Sequence, residues 1–210
     1  MRFSLSRFLT SIVERFREAL TASPDARLIA RRMFVTNSID SIISSLGVNV
    51  GAYHPGIDPR IMMLAVLGGS LSLSLISGFI GVLVSERAER IRELRELERK
   101  LGARLERTIY AKSATIVPLY VALWSLTGML LFPLAIVAPY ATTLMGVLEL
   151  FEAFMASIAI TLLSLAAIGA YLGIITGGSI WLSALRTLGL GLVALAIVAV
   201  FKLVFRAVAG

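Results

Sequence analysis

The chain has 210 residues, 58% of them hydrophobic and 16% charged, with a mean hydropathy of +0.89. Soluble domains run at about 45–50% apolar and about 25% charged, so a soluble globular domain and a disordered chain are both excluded and a multi-spanning membrane protein is indicated. The net charge is +7, there is no Cys and the one histidine is His54, which rules out disulfides, thiolate metal sites and a two-histidine zinc centre within one chain.

The basic excess would suggest nucleic acid in a soluble protein. Here it clusters at 2–32 and 87–112, between long apolar stretches, so the partner expected is a lipid bilayer and not nucleic acid. In residues 3–21 the apolar Leu5, Phe8, Leu9, Ile12, Val13, Phe16 and Leu20 recur at steps of three and four among Arg7, Arg15 and Arg17. No continuous apolar core of 7–15 residues is present, so this is not a signal peptide. The segment reads as an amphipathic helix on an anionic membrane face or, alternatively, packed on its own protein. Ser23-Pro24-Asp25 breaks it, and residues 1–32 form a cytoplasmic N-terminal segment.

A membrane helix needs about 20 mostly apolar residues. Five stretches qualify, at 33–54, 61–84, 113–138, 150–175 and 183–205. His54-Pro55-Gly56 and Asp58-Pro59-Arg60 supply turn chemistry between the first two. Residues 85–112 are a charged helical stretch. Pro139 and Tyr140 are expected to open a loop, and Thr176-Gly177-Gly178-Ser179 another, with the glycine pair and Arg186 separating the last two spans. With the N-terminus cytoplasmic, the inner segments hold 17 of the 20 Lys and Arg residues, which sets the orientation by the positive-inside rule. The expected class is an all-α integral membrane protein of the cell membrane with five spans. The segments are 1–32, spans one and two (33–84), the cytoplasmic helix (85–112) and spans three to five (113–210).

Asp40 falls in the first third of span one. A carboxylate at the centre of a span costs about 2.5–3.5 kcal/mol on insertion scales, so it should face a partner, a cavity or an ion path. Asn37, Ser41 and Ser44 lie on the same helical side. The alternative places Asp40 near the headgroups, about two turns from Arg32. Glu149 and Glu152 open span four as helix-start acids favoured by the dipole, or as an exit site. Ser70, Ser72, Ser74 and Ser77 with Gly68, Gly69, Gly78 and Gly81 give span two a small-residue surface, for close packing or for a polar path.

At 100° per residue, Glu86, Glu89, Glu93 and Glu96 fall within an arc of about 80°. Arg92, Arg95 and Arg99 form a second stripe and Leu94, Leu97 and Leu101 a third face. Like charges at such spacings repel by a few tenths of a kcal/mol, so the four carboxylates call for cations. A divalent metal held through oxygen is one answer. A solvated helix with i, i+4 pairs Glu86–Arg90 and Glu96–Lys100 is another, and a coiled-coil contact through the leucine face a third.

Three stretches together resemble the vacuolar iron transporter family. In residues 39–51 the sequence IDSIISSLGVNVG is similar to the family's first-span signature at Asp40, Ser44 and Gly51, with Ile39 and Ser41 replacing the flanking Asn and Gly. In GVLVSERAE (81–89), Gly81, Val84, Ser85 and Arg87 match the end of the second span. In residues 169–191, Gly169, Gly173, Thr176, Gly177, Ser179, Ser183, Leu185, Arg186 and Gly191 keep the order and spacing of the join between spans four and five. Span three is a loose match.

The resemblance implies a homodimeric transporter that moves Fe²⁺ or Mn²⁺ out of the cytoplasm in exchange for protons, with the path at the dimer interface near span one. The metal is then a transported ion and no cofactor is permanently bound. Asp40 would be the intramembrane metal ligand, and Glu86, Glu89, Glu93 and Glu96 the counterparts of the first acidic helix of the family's metal-collecting domain. The sequence departs from the family at two places: the Glu after the span-two Gly is Val82 here, and the Met three residues before it is Gly78. The cytoplasmic insert is also too short for the family's three-helix domain. A non-transporting membrane scaffold or regulator on the same fold, with 85–110 as an interaction arm, is the competing function. An enzyme is disfavoured, since the one histidine, His54, falls only at the end of a span and the GxSxG, phosphate-loop and dinucleotide fingerprints are absent. The scarcity of Asn and absence of Gln fit a thermophile.

Overall fold

The computed structural model describes residues 14, 17, 18, 20, 21, 23–106 and 108–209. Residues 3–13 of the expected N-terminal amphipathic helix lie outside them. Among the described residues all regular structure is helical, with no strand. Five long helices follow in order: α1 (Ala26–Ala52), α2 (Pro59–Leu101), α3 (Ile109–Leu144), α4 (Leu150–Thr176) and α5 (Ile180–Ala209). Four of them, α2 to α5, are long and apolar enough to cross a membrane. At 27 residues, about 40 Å at 1.5 Å per residue, α1 has the length but not the apolarity. Asn37, Ser38, Asp40, Ser41, Ser44, Ser45 and Asn49 dilute it.

Span two and the charged stretch are one continuous helix. Its middle, Ser74–Gly81, is π-helical, and the helix runs on to Leu101, where Gly102 at φ 62 donates its N–H to the Glu98 carbonyl and ends it. The expectation of one charged helix through 112 is therefore corrected: the helix ends at Leu101, Leu105 N–H donates to the Glu98 carboxylate at 2.7 Å, and Ile109 starts a new helix. The loop expected at Pro139 and Tyr140 is also corrected, since α3 passes through both. Proline removes one N–H, a loss that membrane helices tolerate when side chains resatisfy the backbone. The carbonyl that Pro139 leaves without its helical donor is that of Ala135, four residues back; α3 nonetheless continues to Leu144. The helix stops at Leu144, two residues before Gly146 takes φ 74.

Two compact units divide the chain, Met1–Phe34 with Ile76–Leu126 and Val35–Leu75 with Thr127–Gly210. In the first, Ala26, Ala30, Val82, Val117, Val121 and Ala122 form a buried cluster. There the Ser125 hydroxyl donates to the Gly78 carbonyl at 3.3 Å, on the π-helical segment.

In the second unit α4 and α5 form an antiparallel pair joined at Gly177, whose φ of 65 closes α4. Their approach is close enough to require glycine. A Cβ on Gly169 would sit 2.0 Å from the Thr187 hydroxyl oxygen and 2.6 Å from the Ser183 carbonyl, and one on Gly173 would sit 2.8 Å from the Ile180 Cα. Thr187 uses the proximity to donate to the Leu165 carbonyl at 2.9 Å. Gly169→Ala should therefore cost about 1–3 kcal/mol through overpacking. Gly189→Ala, with nothing within 4 Å of the added carbon, should leave thermal unfolding in detergent unchanged or slightly improved; equal melting of the two variants would contradict this packing.

Candidate functional site

Asp40 is exposed on α1. Asn37 and Ser44, expected beside it, are half-buried. Ser41 is not on its face: it is 1% exposed and its hydroxyl donates inward to the Met129 carbonyl at 3.1 Å. A step of one residue turns a helix by 100°, which is enough to separate the two.

Behind that face the same unit is built on polar pairs. Tyr140 O–H donates to the Asn49 side-chain carbonyl at 2.5 Å. The Asn49 amide donates to Ser157 at 3.0 Å, and the Ser157 hydroxyl donates to the Ile136 carbonyl at 2.6 Å. All three side chains are fully buried. Lys202 donates to the carbonyls of Val50, at 3.1 Å, and of Tyr53, placing a cation where the last carbonyls of α1 lack partners. The Tyr53 ring stacks on Phe154 at 3.8 Å.

The acidic stripe lies on the charged half of α2, in the other unit. Its four members are not gathered on one point. Arg92 donates to Glu89 and, at 3.2 Å, to Glu96. Arg90, with only 9% of its side chain exposed, donates to Glu93 at 3.0 Å and to Asp25 at 2.6 Å. The i, i+4 pairs expected for Glu86 and Glu96 are replaced by these. Among the described residues no group of three or more His, Asp or Glu side chains comes together to hold a metal. In this arrangement arginines are the resident cations of Glu89, Glu93 and Glu96.

Glu86 differs. It is half-buried, and burial raises its carboxyl above the ordinary value of 4.5 against the pull of Arg90 and Arg32. Hydrogen bonds from Arg92 lower that of the exposed Glu89. A pocket of about 260 Å³ opens beside the ion pairs, lined by Asp25, Arg90 and Glu93 on one side and by Leu94, Leu97 and Tyr110 on the other. Two of the three leucines of the expected coiled-coil face thus turn onto their own chain, while Leu101 stays exposed.

Asp25 and Arg90 were missed by sequence reasoning as a pair. They stand 65 positions apart, and the only local sign was an arginine flanked by acids. Glu149 and Glu152 behave as expected of helix-start acids, with Glu152 accepting the Glu149 N–H at 3.0 Å.

Comparison with known proteins adds one finding. The family model described as the VIT family matches residues 81–201, more than half of the chain. The stretches 81–89 and 169–191 fall inside that match, and 39–51, with Asp40, lies before it. No curated protein matches the chain.

The Glu86 shift has a defined sign. Because the folded carboxyl sits above its unfolded value, ionising it opposes folding; that penalty is complete above the folded value and vanishes below about 4.5. Glu86→Gln should therefore raise the melting temperature at pH 7 and leave it unchanged at pH 4. Arg90→Met should lower it, because charged hydrogen bonds contributing about 1.5–3 kcal/mol each are lost. Calorimetry at the two pH values checks both, and a destabilised Glu86→Gln at pH 7 would contradict the assignment.

Proposed function

The chain belongs to the VIT family, whose family-level activity is membrane metal-ion transport, and on that premise we propose that it exports divalent metal, Fe²⁺ or Mn²⁺, from the cytoplasm in exchange for protons. It works as a homodimer in the cell membrane, with five spans including α1 and its N-terminus inside. The positive-inside distribution supports that orientation.

The observation that carries this reading is Asp40, a carboxylate exposed on a long helix of an integral membrane protein. Lipid is a costly neighbour for it. A second copy against the same face would bring two Asp40 carboxylates together, with water or a metal between them. Hard oxygen ligands suit Mn²⁺ and Fe²⁺. Metal binding requires the carboxylate deprotonated, so loading releases a proton and metal release permits its return; metal and proton thus travel in opposite directions. The stripe Glu86, Glu89, Glu93 and Glu96 raises the local cation concentration at the cytoplasmic side electrostatically, and metal reaches those carboxylates by displacing Arg90 and Arg92.

A second reading has its own support. Val82 and Gly78 stand where the family has Glu and Met, and three of the four stripe acids are held by arginines. On those grounds the protein is a membrane scaffold or regulator with α2 as its interaction arm. Charge reversal of the stripe would then alter partner binding and leave metal untouched.

Uptake into proteoliposomes separates the two. Fe²⁺ or Mn²⁺ uptake driven by an imposed pH gradient, reduced to the level of empty vesicles in Asp40→Ala, is the expected result. Uptake by Asp40→Ala equal to wild type would remove Asp40 from the path, and no uptake by folded wild-type protein would favour the scaffold.

A further inference from the structure

We propose that the pocket beside the Asp25–Arg90–Glu93 ion pairs binds a soluble aliphatic ammonium ion, a primary amine carried on a short hydrocarbon chain. The site stands apart from Asp40 and does not depend on the transport reading.

The walls come from one unit: the residues just before α1, the charged half of α2 and the first turn of α3. Arg90 Nη2 donates to Asp25 Oδ2 and Arg90 Nη1 to Glu93 Oε2. Asp25 Oδ1 and Glu93 Oε1 accept no hydrogen bond among the described residues. Two acids on one arginine would by themselves be a solvated ion pair. Ser23 sets this pocket apart. It lines the cavity and is only 6% exposed, and its hydroxyl has no hydrogen-bond partner among the described residues. A hydroxyl buried that far ordinarily has one, and the cavity is where one can come from.

The chemistry of the walls selects the ligand. Two carboxylates against one guanidinium leave the polar wall with a net negative charge, which disfavours an anion. An ammonium carries three donors and no acceptor. Asp25 Oδ1, Glu93 Oε1 and the Ser23 hydroxyl are three uncommitted acceptors. The other wall is Leu94, Leu97 and Tyr110, which suits methylene groups, with the tyrosine ring also attracting a cation. Hard divalent metals take about six oxygen ligands, and this apolar wall does not supply them. The volume of about 260 Å³ equals about nine water molecules at about 30 Å³ each, room for a small organic ion.

The polarity of the pocket also distinguishes a soluble amine from the ammonium of a lipid headgroup. The apolar part of α2 precedes Arg90, while Leu94 and Leu97 stand about 6 and 10 Å beyond it along the helix. The charged wall thus faces the bilayer end of α2 and the apolar wall the water end. A lipid arriving from the bilayer would meet them in the wrong order.

The test is thermal unfolding of the full-length protein in detergent, titrated with n-butylamine at pH 7, where the amine is protonated like a lysine side chain. Sodium chloride at equal ionic strength, sodium butyrate and 1-butanol are the comparators. The amine should raise the melting temperature to a plateau that the comparators do not reach. Ser23→Ala, which removes a hydroxyl with no partner to lose, should melt as wild type without amine and need several-fold more amine for half its effect. Glu93→Gln should need about tenfold more, the loss of one charge-assisted hydrogen bond. An amine effect no larger than that of sodium chloride overturns the site, and half-effect concentrations equal to wild type in both variants overturn its place. A plateau given by MnCl₂ or by solubilised phosphatidylethanolamine, with none from butylamine, would make the pocket a metal or headgroup site and overturn the soluble amine.

Discussion

A polar group at membrane depth has no bulk water to turn to, and its partners must come from the protein. That requirement shapes the larger unit of this chain. Asn49 is met by Tyr140 and Ser157, Ser41 by the Met129 carbonyl, and Thr187 by Leu165 across a helix contact that Gly169 and Gly173 keep narrow. The last carbonyls of α1 are met by Lys202. Hydrophobic burial contributes little to choosing among helix arrangements when lipid is as apolar as leucine, so small residues and these hydrogen bonds carry the specificity. Against that background Asp40 stands out: its carboxylate is exposed on a helix that buries Ser38, Ser41, Ser45 and Asn49.

The charged half of α2 obeys a different rule, because water competes for every ion there. Glu89 and Glu96 share Arg92 in the open, an arrangement worth little to stability. Arg90 is buried and joins Asp25, at the start of α1, to Glu93. Three members of the acidic stripe are thus matched to arginines, and Glu86 is the one whose carboxyl burial raises above its ordinary value. A transporter reading has to let metal displace guanidinium groups; a scaffold reading leaves them in place.

Much of this was legible in the sequence where the signal is local. Hydropathy located α2 to α5, and the glycine pair at 177–178 correctly divided the last two. The family followed from short stretches, two of which lie inside the matched region. The errors have physical causes. Pro139 looked like a break because a soluble helix rarely survives one, yet α3 needed only the loss of one N–H and stopped near Gly146 instead. Gly102, read through as part of a charged helix, took the left-handed conformation that ends one. Ser41 was grouped with Asp40 by spacing, which gives angles on a helix but not which angle faces the core. The Asp25–Arg90 pair and the Asn49–Tyr140–Ser157 chain join residues far apart in sequence, and no periodicity announces them.

The central claim is that the Asp40 face of α1 opens onto a water-accessible path and not onto lipid. The chain has no cysteine, so Asp40→Cys is a clean single-thiol probe. In reconstituted membranes that thiol should react with a water-soluble, membrane-impermeant maleimide at a rate comparable to a thiol placed at the exposed Glu106. Modification by a lipid-soluble maleimide alone, with the water-soluble reagent excluded, would contradict the account.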